Sequence, residues 1–156
     1  MKEADIVEGY DNLSRKYKIP KFDALNEDFE IEFIKKKPFL LRQVRRKMNE
    51  KVVFFCRIIE SLLYPNPQNI INAVEINSFS SEDKSRLEKI YRELMHYERS
   101  SLLLDVCPDD KKEAEYINNI FSSWSRIKKS IEETVRIMQE SWKKDIKEKE
   151  NNNYFG

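Results

Sequence analysis

Apolar residues recur along most of this chain at three- and four-residue steps, the spacing that lines one face of an α-helix. In the first segment Ile6, Tyr10, Leu13 and Tyr17 fall at steps of 4, 3 and 4. Beyond Pro38, a proline suited to a first helical turn, Leu41, Val44, Met48, Val52, Phe55, Ile59 and Leu62 follow at steps of 3, 4, 4, 3, 4 and 3. They predict a long helix over about 39–63. Phe54 and Ile58 widen its apolar arc to roughly 200°, more than one neighbour covers, so it is expected at the centre of the fold.

Residues 22–34 read two ways. Leu25, Phe29 and Phe33 fit a helix, whereas Phe29, Ile31 and Phe33 alternate with Glu30 and Glu32 as in a strand. No second alternating segment exists to supply a strand's hydrogen bonds, so helix is the expectation. Tyr64, Pro65, Asn66 and Pro67 break the central helix; Asn66 is expected to cap a short helix opened by Pro67 and carrying Ile70, Ile71, Val74 and Ile76. Ser80 with Asp83 resembles a capping box before a helix through about Leu104, with Leu87, Ile90, Tyr91, Leu94 and Tyr97 facing inward.

The last helix is expected over about 109–148, with Asp109 and Asp110 at its positive end and lysines at its negative end. Its stripe is Ile117, Ile120, Trp124, Ile127, Ile131, Val135, Met138, Trp142 and Ile146, with a mean step near 3.6 rather than the 3.5 of a coiled coil. At 1.5 Å per residue about 40 residues reach ~60 Å, against under 40 Å for the helix before it. Met138, Trp142 and Ile146 should therefore overhang, to be covered either by the N-terminal helix or by another protein chain.

Composition narrows the class. Two glycines in 156 residues leave little for hairpins or phosphate-cradling loops, and nine Phe, seven Tyr and two Trp argue for a folded core. The fold expected is all-α, a bundle of four to six helices forming a single domain over 1–150, with 151–156 as a flexible tail. A net charge of +1 supplies no global pull toward nucleic acid or membrane, and no span-length apolar run or signal segment is visible, so a cytoplasmic protein with no membrane partner is expected. Cys56 and Cys107 belong to no CxxC pair and read as reduced thiols.

Candidate chemistry is sparse. Glu93 and His96 form half of a di-iron ligand set, but His96 is the only histidine and lies opposite the apolar stripe, so neither metal nor His-dependent catalysis is expected. Lys51 and Glu98 fall inside apolar arcs; either Lys51 snorkels and Glu98 lies at an arc edge, or the two pair between helices. A basic block of Lys35, Lys36, Lys37, Arg42, Arg45, Arg46, Lys47 and Lys51 follows the acidic Asp23, Glu27, Asp28, Glu30 and Glu32. The two either neutralise each other or leave a patch for a phosphate backbone.

The sequence reads as a non-enzymatic helical interaction or scaffolding protein that contacts another protein through Met138, Trp142 and Ile146, with no cofactor and with self-association open. Its alternative is a nucleic-acid-associated protein gripping phosphates through Lys35, Lys36, Lys37, Arg42, Arg45, Arg46 and Lys47; an enzyme of unrecognised type comes third.

Overall fold

The computed structural model describes residues 3–35 and 38–153, with side chains over 5–35 and 38–149. The protein is an all-α bundle: α1 Glu3–Tyr17, α2 Phe22–Phe29, a 3-10 turn Ile31–Phe33, α3 Leu40–Leu63, α4 Ile70–Ile76, α5 Ser81–Val106 and α6 Asp110–Asn153. No strand occurs among the described residues. Helix α6 runs beyond the expected end near Glu148; Tyr154–Gly156 of the expected tail lie outside the described residues.

Residues 22–34 are helical only in part. Glu30 adopts the left-handed conformation (φ 54°) and its N–H reaches the Asn26 carbonyl, which closes α2. The Asn26 side chain then accepts from the Glu32 N–H and donates to its carboxylate, holding the 3-10 turn. Phe29 and Ile31 are buried and Phe33 is exposed, so neither the full-length helix nor the strand face is realised. Pro38 stands before α3 rather than in its first turn, because Phe39 also takes a left-handed conformation (φ 56°) and supplies the carbonyl that receives Gln43 N–H.

The chain forms two compact units. The first comprises 1–54 and 94–125, the second 55–93 and 126–156, so α3, α5 and α6 each contribute a segment to both. In the first unit Tyr10 packs edge-on against Phe22 and donates to the Pro20 carbonyl at 2.8 Å, while Phe29 lies 4.6 Å from the Trp124 ring. Burial, with a lesser push from Asp11, raises the Tyr10 phenol well above its usual value. Helix α1 is thus used within this unit.

The second unit buries Cys56, Ile59, Leu62, Phe79, Leu87, Ile90, Ile127 and Ile131. The capping box forms as expected: Ser80 N–H and Oγ both reach the Asp83 carboxylate, and Asp83 N–H returns to Ser80 Oγ at 3.1 Å. The cap of α4 differs from the expectation. Asn69, not Asn66, accepts from Ile71 N–H, while Asn66 closes a turn onto Gln68 N–H and Pro67 stays outside the helix.

Helix α6 buries Ile117, Ile120, Trp124, Ile127 and Ile131 of the expected stripe, together with Glu113, Ala114, Tyr116 and Ser130. Up to Ile131 the apolar stripe and the inward face coincide. Beyond it they part: Val135 is 44% exposed, while Thr134 and Ser141 are buried in its place. Thr134 Oγ1 donates to the Ser130 carbonyl at 2.7 Å and Ser141 Oγ to the Met138 carbonyl at 2.6 Å, so neither hydroxyl is left unsatisfied.

Candidate functional site

Two polar constellations stand out, one in each unit. The first is built on Arg45, whose side chain is fully buried. Leu41 and Met48 lie four residues before it and three after it on the inner face of α3, so the backbone directs Arg45 into the core. Its Nε donates to Glu113 at 2.8 Å, Nη1 to Ser101 Oγ at 2.8 Å, and Nη2 to Asp105 at 2.7 Å. Glu113 is itself buried, and a guanidinium in such a site requires charged acceptors because desolvation of an unpaired ion costs several kcal/mol.

Arg46 also donates to Asp105, at 2.8 Å, and Arg42 stands 3.8 Å from Glu113 with its guanidinium 4.8 Å from the Phe39 ring centroid. Three arginines on α3 thus converge on two carboxylates carried by α5 and α6. Burial alone would push the Arg45 guanidinium down, but its hydrogen bonds to Asp105 and Glu113 outweigh that and hold it above its ordinary value. Arg45, with Arg46 beside it, holds the Asp105 carboxyl down at about 2. The arrangement ties α3 to the α5 and α6 segments of this unit and answers the buried Arg45 charge with two carboxylates.

This accounts for the basic block. Arg42, Arg45 and Arg46 face Glu113 and Asp105 rather than the acidic segment 23–32, and Lys47 pairs with Glu50 at 2.8 Å. Among the described residues, Lys51 reaches back across the turn, to Glu30 at 3.7 Å. Lys35 is exposed; Lys36 and Lys37 lie outside the described residues. The interhelical Lys51 to Glu98 pair does not form, because Lys51 takes the nearer Glu30 and Glu98 lies beside Arg99 at 3.4 Å. Glu93 meets Arg126 at 2.7 Å rather than serving with His96, and no cluster of three metal-binding side chains occurs among the described residues.

The second constellation lies in the other unit, where α4 meets the distal part of α6. Helix α4 buries two polar residues and leaves Val74 and Ile76 half-buried. Its buried residues are Asn72 and Glu75, while Ile70 is 75% and Ile71 54% exposed. Trp142 Nε1 donates to Glu75 at 2.9 Å, so the indole that sequence analysis placed at a contact surface anchors α4 instead. Within the chain, the element that meets Trp142 is thus α4. The short helix after Pro67 was not among the covers weighed for the distal helix.

Met138 and Trp142 are half-buried and Ile146 is 56% exposed. A cleft of about 400 Å³ runs between Ile70, Ala73, Val74, Asn77 and Ser78 on one side and Ser141, Lys144, Asp145 and Glu148 on the other. Of the three distal residues singled out in the sequence, one holds the cleft together and Ile146 stays open beside it. A signal for Arg45 was present, since it sits inside the apolar stripe of α3, and Glu113 precedes Ile117 by one turn. No comparable signal marks α4, because a seven-residue helix offers too few positions to tell its faces apart.

No described helix is long and apolar enough to cross a membrane. No protein-family model, curated protein or solved structure matches the chain.

Proposed function

We propose that the chain is a non-enzymatic protein-interaction or scaffolding protein whose contact surface is the cleft between α4 and the distal end of α6. The orientation of α4 carries this reading. A helix that buries Asn72 and Glu75 while holding Ile70 and Ile71 in water forgoes ~1.5–3 kcal/mol per isoleucine that burial would return. An apolar face of this kind, rimmed by charged residues, is the usual mark of a contact surface. Ile146 on α6 adds to the apolar surface of the same unit.

Affinity capture with the wild type and with an Ile70→Asp, Ile71→Asp variant, both under nuclease, tests the reading. Both residues are exposed, so the variant should fold normally and lose bound protein. An identical bound set from the two chains would refute the assignment of the surface.

A further inference from the structure

The α6 side of the cleft carries a charge pattern that selects a partner. Ser141, Lys144, Asp145 and Glu148 occupy one face of the helix, at steps of three, one and three. Asp145 is matched within its own helix by Lys149 at 2.9 Å. Lys144 and Glu148 are exposed, one turn apart, of opposite sign, and in no ion pair among the described residues. Their order explains this. A helix favours the acid four residues before the base, as in Asp145 with Lys149 and Glu132 with Arg136, over the reverse order.

A base and an acid one turn apart on one helix face are complementary to the same face run antiparallel. We propose that the cleft is where two copies of this chain pair about a two-fold axis, with Lys144 of each copy facing Glu148 of the other. This rests on the reading of the cleft as a contact surface and names its occupant. One surface then satisfies both charges twice over, as an isologous contact requires. The small, exposed Ala73 lets the paired helices approach, and the exposed Ile70 at the cleft lip is removed from water. The surface is modest in extent, so the association belongs to the weak, reversible class, with dissociation in the micromolar range or above.

Sedimentation analysis of the full chain tests the proposal. The wild type should show a concentration-dependent dimer that loosens as salt is raised. Lys144→Glu and Glu148→Lys each set like charges face to face twice, and each should weaken the dimer by about tenfold or more. Mixing these two variants should restore it, because each then offers what the other lacks; no intramolecular role of either residue produces that rescue. A wild type that stays monomeric at roughly millimolar concentration, where even a weak pairing is populated, overturns the proposal. So does a dimer indifferent to both charge reversals, or one that mixing fails to restore. A monomeric wild type whose protein capture still depends on Ile70 and Ile71 would remove the second copy as occupant while leaving the contact surface standing.

Discussion

The two units use buried polar groups in opposite ways. In the first, Arg45 is surrounded by Glu113, Asp105 and Ser101, and the arginines on either side close on the same carboxylates. In the second, Glu75 meets one indole N–H, and Ile70 and Ile71 of α4 are exposed. Polar residues in the first unit finish a core; in the second they hold a short helix in an orientation that leaves apolar surface available. The difference teaches that a buried charge is informative through what surrounds it. A fully answered ion indicates architecture, and an apolar face left open beside polar anchors indicates a surface awaiting something.

The largest expected effect breaks the first unit's network. Arg45→Met should lower stability by about 3–5 kcal/mol, since Glu113 would stay buried without its partner. Adding Glu113→Leu should recover much of that loss, as an apolar pair often replaces a buried ion pair with little penalty. Denaturant melts of the two variants measure both, and a loss under about 1 kcal/mol for the single variant would erase the contrast between the units.

Next is Trp142→Phe, which keeps the ring but removes the donor to Glu75. A loss of about 1–2 kcal/mol is expected, with faster amide exchange confined to α4. Exchange rising equally throughout the chain would show that the anchor is not local.

Acid should act on the first unit. Asp105 is held at about 2, below its ordinary value of 3.8, so its stabilising effect is complete above that ordinary value and fades as the pH falls toward 2. Its side chain is 35% exposed, and solvent screening reduces the effect to the order of 1 kcal/mol. Asp105→Asn should flatten that part of a stability profile between pH 4 and pH 2. The smallest change is expected from Ile70→Ser with Ile71→Ser, within about 0.5 kcal/mol of the wild type in a melt, because neither side chain is buried. A large loss there would mean that α4 depends on those side chains and is not packed as described.

Helix type and extent were legible because α3, α5 and α6 are long enough for their periods to average out local exceptions. The capping box at Ser80 and the acidic start of α6 were legible as local chemistry, with Asp109 accepting from Lys112 N–H at 2.8 Å. Orientation was harder. Arg45 was counted in the basic block as a phosphate-gripping candidate although its position between Leu41 and Met48 places it inward, since charge outweighed register in that reading. The partners Ser101, Asp105 and Glu113 lie 56 to 68 residues away, and spacing along a chain carries no information at that range. On distal α6, following apolar residues led to Val135, Met138, Trp142 and Ile146, whereas the buried register continued through Thr134 and Ser141, where hydroxyls satisfied by their own helix behave as small core residues.

The chain's two tryptophans fall one to each unit. Trp124 is buried against Phe29 in the first, and Trp142 is half-buried with its indole N–H on a carboxylate in the second. The molecule therefore carries two intrinsic fluorophores in unlike surroundings, a shielded one that reports the arginine-centred core and a partly wetted one that reports the seating of α4. Emission from single-tryptophan variants can follow each unit separately, without any attached label.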